Sequence, residues 1–186
     1  MKLFLLLLMM SNAAWPQANP HDLQVAVKRE GRVYDYSASF DTPLSKCQAY
    51  GYLTDYEAKK ALPGVVSISV QRKSAETARV ELTADEPVLF FSVRINSVME
   101  YTEKPFQSVS FVQSSGNSII FQGRWNIEPG KNGSTLSYKG LWEPDTVIPL
   151  IILDQFAVDI LTSKFSAIAE LAAKYRGGRR LACADQ

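Results

Sequence analysis

Histidine and cysteine are scarce in this chain, and their scarcity excludes much catalytic and metal chemistry. The 186 residues contain one histidine, His21, and two cysteines, Cys47 and Cys183. His21 precedes the first predicted strand, so we expect a solvated loop residue rather than a member of a Ser/His/Asp or Cys/His set. No group of His, Cys, Asp or Glu residues has the spacing of metal ligands. We therefore predict no catalytic residues, no metal and no cofactor, and an enzyme is the less favoured class.

An excess of either charge is also missing. The chain has 20 basic and 19 acidic residues, a formal net charge of +1, and without Lys2 the two signs balance. A main partner made of nucleic acid is excluded, because phosphate binding needs a basic excess. The basic, glycine-containing cluster at 176–180 is more typical of a helix end and a solvated tail than of an RNA-binding segment. Attraction of this cluster to anionic lipid headgroups, and hence a transient membrane contact, is the weaker alternative.

The chain has no apolar run of the roughly 20 residues that a membrane-spanning helix needs. Its continuous apolar run at residues 3–10 follows Lys2 and precedes the small residues Ser11 and Ala13. This order is typical of a secretory signal peptide. We predict that residues 1–18 are a signal peptide, cleaved between 13 and 18, and that the protein is exported, to the periplasm if the source is bacterial. A buried N-terminal helix or a retained anchor is the alternative.

The two cysteines can make only one pair. Export would permit a disulfide, but Cys47 falls in a predicted helix and Cys183 in a polar tail after the last helix. Sequence does not give the distance between them. Unpaired thiols are the favoured interpretation, and the pairing stays open.

Alternation of apolar and polar residues is abundant. A period of two predicts strands with one apolar and one solvated face, and the short turns between them predict antiparallel pairing. The predicted strands are 23–28, 33–40, 65–72, 77–83, 88–101, 106–113, 118–128 and 135–143.

Three helices are predicted around these strands. The first covers residues 44–52 after a start at 41–43, with Asp41 or Thr42 as the cap. The second begins at 54–57, where Thr54 and Glu57 have the spacing of a capping box. The third runs from about 148 to 175 with an apolar stripe, and is about 40 Å long at 1.5 Å per residue. The order of elements indicates a single α+β domain over residues 22–176, followed by a flexible polar tail at 177–186.

Large aromatics and glycines share the apolar faces of the late strands. Gly123 lies between Phe121 and Trp125, and Gly140 between Tyr138 and Trp142. Small residues beside large rings can leave a hollow between the sheet and the long helix, although a well-packed core is the simpler interpretation for each residue. The predicted lining of this ligand cavity is Tyr36, Phe91, Tyr101, Phe121, Gly123, Trp125, Tyr138, Trp142, Ala157, Ile160, Leu161 and Phe165.

The same order of elements carries a family resemblance. The segment 52–57, Tyr-Leu-Thr-Asp-Tyr-Glu, followed by Leu62-Pro63-Gly64-Val65, resembles the START-like (SRPBCC) superfamily, in particular its polyketide cyclase/dehydrase and coenzyme Q-binding branch. Further similarities are the stretches 121–125 and 136–138. The resemblance covers roughly residues 25–175. It implies a helix-grip fold, in which a curved antiparallel sheet wraps around a long C-terminal helix, with two short helices after the first strands.

Members of this superfamily bind lipids, quinones, sterols or polyketides, and a minority are enzymes. The resemblance therefore implies that the protein binds a hydrophobic small molecule or lipid in an internal cavity, and it extends to transport of that ligand. One alternative is a cyclase/aromatase-like enzyme acting on a polyketide-type substrate, which would need an acid/base pair inside the cavity. Another is an interaction module without a ligand. Many relatives are cytosolic or mitochondrial, so a signal peptide argues against a mitochondrial-style quinone role.

Overall fold

Strands dominate the protein, and one long helix follows them. The computed structural model describes residues 20–88, 91–176 and 183. The strands are β1 Gln24–Glu30, β2 Val33–Thr42, β3 Val65–Arg72, β4 Thr77–Val88, β5 Phe91–Lys104, β6 Ser108–Gly116, β7 Ser118–Gly130 and β8 Gly133–Pro144.

All eight strands form one antiparallel sheet in the order β1-β2-β8-β7-β6-β5-β4-β3. Because β8 pairs with β2, the first hairpin lies beside the last strand, with Tyr34 opposite Trp142. Burial alternates along β2, where Tyr34 and Tyr36 are buried while Asp35 is exposed. The predicted period of two is thereby confirmed, and the apolar face of the sheet is the one that receives the helix.

The first helix, α1, spans Lys46–Thr54 and begins later than predicted. Ser45 is its cap: the Ser45 hydroxyl accepts a hydrogen bond from the Gln48 amide, and the Gln48 side chain accepts one from the Ser45 amide. The prediction of a cap at Asp41 or Thr42 is wrong, because β2 continues through both residues and pairs them with β8.

The second predicted helix is a short 3₁₀ helix, Glu57–Ala61. Thr54 does not cap it, since Thr54 ends α1 and its hydroxyl donates to the Tyr50 carbonyl oxygen at 2.9 Å. Asp55 instead accepts a hydrogen bond from the Ala58 amide at 3.2 Å. The predicted reciprocal pair of Thr54 and Glu57 is therefore wrong, although a helical segment does follow α1.

The long helix, α2, spans Leu150–Lys174 and crosses the apolar face of the sheet. Its buried residues, Phe165, Ala169 and Ala172, all lie in its second half. In the first half, Ile151 and Val158 are exposed to 67% and 50%. The sheet therefore holds the second half of α2 firmly and the first half loosely.

A disulfide joins Cys47 on α1 to Cys183, with the Cα atoms 5.8 Å apart. The favoured interpretation of unpaired thiols is wrong. Sequence could not show that Cys183 lies within bonding distance of Cys47 on α1. The bond attaches one residue of the predicted tail to the domain.

The predicted signal peptide, 1–18, lies outside the described residues, as does most of the predicted tail. Within the described residues, no helix combines the length and the apolar character that crossing a bilayer requires.

Candidate functional site

The candidate site lies between the apolar face of the sheet and α2. One row of paired residues crosses its centre: Tyr36 on β2 is opposite Gly140, Gly140 is opposite Gly123, and Gly123 is opposite Phe111. Phe111 in turn is opposite Tyr101 on β5. The row thus has two aromatic ends and a glycine pair in the middle.

The side chain of Tyr138 lies over this glycine pair. A Cβ atom added at Gly123 would meet the Tyr138 hydroxyl oxygen at 2.1 Å, and one added at Gly140 would meet it at 2.5 Å. Gly123 therefore makes room for a tyrosine ring, and the space that the sequence left above Gly123 is filled by Tyr138. Covering a glycine in a sheet with an aromatic ring is a known stabilising device.

Three tyrosine hydroxyls lie within this apolar region. The Tyr36 and Tyr138 hydroxyl oxygens are 3.1 Å apart and hydrogen-bonded, and the Tyr101 hydroxyl contacts the Met99 sulfur at 3.7 Å. Burial raises the pKa of Tyr36 to about 12 and raises the pKa of Tyr101 and of Tyr138 well above the ordinary range. All three phenols are therefore neutral hydrogen-bond donors at physiological pH.

Other aromatic rings surround these hydroxyls. Phe165 on α2 is 5.4 Å from the ring centre of Tyr138 and 5.8 Å from that of Trp125. On the opposite side, the ring centres of Phe111 and Phe121 are 5.0 Å apart. These tilted and edge-on pairs are the favourable geometries for aromatic rings.

The structure brings most of the predicted lining residues together. Gly123 lies beneath the ring of Tyr138, while Ala157 and Ile160 are partly exposed on the first half of α2. The side chain of Phe91 is outside the described part. The remaining eight belong to one apolar cluster: Tyr36, Tyr101, Phe121, Trp125, Tyr138, Trp142, Leu161 and Phe165.

That these residues line a ligand cavity stays a prediction. Two hollows, of about 260 and 280 Å³, lie elsewhere on the described surface. The first is near His21 and the turn at 130–134, and the second runs over β3, β4 and β5. None of the predicted lining residues takes part in either.

Two polar contacts hold α2 to the sheet, one in each half of the helix. Asp154 receives two hydrogen bonds from the Arg29 guanidinium and one from the Tyr34 hydroxyl, each at 2.8 Å. The hydrogen bond from Arg29 is the main cause that holds the pKa of Asp154 below its usual value. Further along, the Lys164 ammonium pairs with Glu86 on β4. Charged groups thus fix α2 to both sides of the sheet, and in its first half the Arg29–Asp154 pair stands where the second half has buried apolar contacts.

The similarity to solved structures decides the fold. No protein-family model matches the sequence, and no curated protein matches it. A STAR-related lipid transfer protein from Xanthomonas axonopodis superposes with a TM-score of 0.66 at 14% identity, over 80% of this chain and 92% of that one. The protein has the START-like helix-grip fold.

Two further structures share the START-like fold. The protein TTHA0849 from Thermus thermophilus matches with a TM-score of 0.64 and 16% identity, over 74% of this chain and 96% of that one. The Zhui aromatase/cyclase from Streptomyces sp. R1128 matches with a TM-score of 0.58 and 8% identity, over 81% and 93%. At these identities the similarity is one of fold.

This START-like fold contains a buried charge that the sequence pattern did not predict. Glu103 on β5 is fully buried; it accepts hydrogen bonds from the hydroxyls of Tyr50 at 3.0 Å and Tyr56 at 2.8 Å, and pairs with Arg72. Arg72 also donates to the Thr54 carbonyl oxygen at 3.0 Å. Each group is engaged with its neighbours, so this cluster fastens α1 and β3 to β5.

A signal for this charge exists in the sequence. Glu103 continues the odd-numbered series of Met99 and Tyr101 on the apolar face, but the predicted strand ended at 101. The observed β5 extends to Lys104. The even-numbered Arg94 and Glu100, by contrast, form ion pairs on the outer face, as the parity predicts.

Proposed function

We propose that the protein is exported and binds a hydrophobic small molecule or lipid between the sheet and α2, carrying it between membranes. The observation that supports this proposal most is the unequal packing of α2. The second half of the helix is buried on the sheet, whereas Leu161 in the first half, and Phe121 and Trp142 on the sheet, remain partly exposed. An apolar sheet face beneath a helix that is only partly packed on it suits a ligand that enters from that side and buries the remaining apolar side chains.

The relatives in fold support the same class of ligand. The Xanthomonas axonopodis structure is a lipid transfer protein by name. Transfer between membranes would also involve a transient membrane contact of this chain, which is part of the proposal.

Export is supported by the disulfide between Cys47 and Cys183. Disulfides persist in oxidising compartments such as the periplasm and the extracellular space, and are rare in the reducing cytosol. Intact-mass analysis of the protein made in its source tests this part. A mature chain beginning between residues 14 and 19 is expected, and a soluble chain that retains residues 1–13 would contradict export.

Extraction of bound molecules tests the binding proposal. The purified protein is denatured, and the released compounds are identified by mass spectrometry. We expect apolar molecules from the wild type and far less from Leu161→Glu, which places a charge on the sheet side of α2. Val158→Glu is the matched control, since Val158 is 50% exposed on the same helix. A wild type that releases no apolar compound and binds no apolar dye would refute the proposal and favour an interaction module with a filled core.

A cyclase/aromatase-like enzyme is the second candidate, because the Zhui aromatase/cyclase shares the fold. Such chemistry would need an acid or base beside the substrate. The phenols of the site have raised pKa values, so they are poor acids at neutral pH, and Glu103 is engaged with Tyr50, Tyr56 and Arg72. Incubation with a linear polyketide analogue tests this candidate: a cyclised product supports the enzyme, whereas recovery of the unchanged analogue argues against it.

A further inference from the structure

The polar groups on the helix-facing side of the sheet divide into those already engaged and those still available. Ser97 donates to Gln113, Gln113 donates to the Ser118 carbonyl oxygen, and the Trp142 indole donates to the Ser118 hydroxyl, at 2.8 to 3.0 Å. Each of these side chains is therefore engaged with a neighbour.

The tyrosines divide in the same way. Four of them donate to a strong acceptor: Tyr34 to Asp154, Tyr50 and Tyr56 to Glu103, and Tyr52 to the Ile168 carbonyl oxygen. Within the described residues, Tyr36, Tyr101 and Tyr138 bond to no carboxylate and no carbonyl.

The Tyr36–Tyr138 bond uses one hydroxyl proton of the two, so one proton remains to be donated. The Tyr101 hydroxyl has only the weak sulfur acceptor of Met99 at 3.7 Å, so its proton is also available to a better acceptor. Tyr36 and Tyr138 belong to one buried apolar cluster, and Tyr101 packs against that cluster. The three rings therefore lie in the same apolar region.

We propose that Tyr36, Tyr101 and Tyr138 bind the single polar group of the ligand, and that this group is an uncharged oxygen acceptor such as a ketone or ester carbonyl. The proposal rests on the function proposed above and specifies the ligand class. The two phenol protons left over in this apolar cluster are equal in number to the two lone pairs of a carbonyl oxygen. The rest of the ligand would lie against the surrounding rings.

Paired cations at the edges of the site disfavour an anionic ligand. Arg72, whose guanidinium lies 5.1 Å from the ring centre of Tyr56, is neutralised by Glu103. Arg29, at the edge of the sheet, is neutralised by Asp154. A carboxylate or phosphate beside the three phenols would be a buried charge without a cationic partner, which is strongly unfavourable.

Three probes of nearly equal size test this proposal: acetylnaphthalene, ethylnaphthalene and naphthoate, each with its substituent at the same ring position. Binding is measured by fluorescence titration of the wild type. We expect the ketone to bind roughly fivefold to tenfold more tightly than the hydrocarbon, the value of one neutral hydrogen bond. We expect naphthoate to bind most weakly.

Single Tyr→Phe variants at 36, 101 and 138 provide the second arm. Each keeps the ring and removes the hydroxyl, so circular dichroism should be unchanged. The variants at 101 and 138 should lose the preference for the ketone and keep the affinity for ethylnaphthalene. Tyr175→Phe is the control, because Tyr175 packs against Tyr52 beyond the other end of α2.

The outcomes separate the two proposals. Equal affinity for ketone and hydrocarbon, tightest binding of naphthoate, or a ketone preference that survives all three substitutions would overturn the ligand class while leaving apolar binding intact. Failure of every probe to bind would overturn the binding function and the ligand class together.

Discussion

Substitution of Gly123 by alanine tests whether the glycine pair is needed to make room for the side chain of Tyr138. The new Cβ would lie 2.1 Å from the Tyr138 hydroxyl oxygen, so the ring would have to retreat by more than about 1 Å to reach ordinary contact. Its hydroxyl is bonded to Tyr36, and Phe165 lies against its ring, so retreat disturbs both contacts. Overpacking of this kind costs about 1–3 kcal/mol. Gly140→Ala, with a contact at 2.5 Å, should behave in the same way.

The background variant Tyr138→Leu isolates the cause. The atoms that would clash are the hydroxyl oxygen, Cζ and one Cε of Tyr138, and a leucine side chain ends before any of them. In this background Gly123→Ala should be neutral or stabilising, since alanine in a strand is favoured over glycine by roughly 0.5–1 kcal/mol. Urea unfolding of the wild type, both single variants and the double variant gives the coupling energy. If Gly123→Ala destabilises the protein equally in both backgrounds, the backbone rather than the Tyr138 ring requires glycine. The proposed role of Gly123 in making room for Tyr138 would then be refuted.

Three further predictions follow from the packing, the disulfide and the phenols. Phe165→Asp should lower the free energy of unfolding by at least about 3 kcal/mol, because a charge would replace a buried ring. Lys164→Asp should lower it by about 1 kcal/mol, since it loses a partly exposed ion pair. Equal losses of stability in thermal unfolding would contradict the orientation of α2. Reduction of the disulfide between Cys47 and Cys183, or its replacement by two serines, should cost about 2–5 kcal/mol, and an unchanged unfolding midpoint would contradict its role. Tyrosines whose pKa is raised in the folded state stabilise the fold fully below pH ~10, and this contribution is lost as the pH rises further. Phenolate absorbance, followed together with circular dichroism, should therefore show that most tyrosines ionise only when the protein unfolds. Ionisation of most of them in the intact fold would contradict their burial.

The strands were predictable because the polarity of each residue indicates which face of the sheet it lies on. An apolar face against α2 and a solvated face opposite it impose a period of two, which survives in the printed sequence along β2, β5 and β8. The limits of the strands were less predictable. Phe106 was placed at the start of a strand, yet it lies in the turn before β6 with a φ of +60°. Backbone conformation in a tight turn is not encoded by hydrophobicity.

The contacts that build the site were not predictable from the sequence, because they join residues far apart along it. Ser45 serves as the cap of α1 only because pairing with β8 keeps Asp41 and Thr42 extended. The bond between Cys47 and Cys183 spans 136 residues. The ion pair of Glu103 and Arg72 depends on the register of strands β3 to β5. The sequence places glycines next to large aromatics, but which side chain fills the space above Gly123 depends on the direction that Tyr138 takes across the sheet.

The strand order has a consequence for the nascent chain. During synthesis β2 is made early, but one of its two neighbours, β8, follows about a hundred residues later, with Tyr34 opposite Trp142. Until then one edge of β2 has no strand to pair with. Its apolar face, which is buried in the folded protein and carries Tyr34, Tyr36 and Phe40, has no helix or sheet to pack against. Such a high contact order makes folding slow and exposes an aggregation-prone edge. We therefore expect fragments that end before Gly133 to remain unfolded, and the full-length chain to need protection of β2 until its last strand arrives.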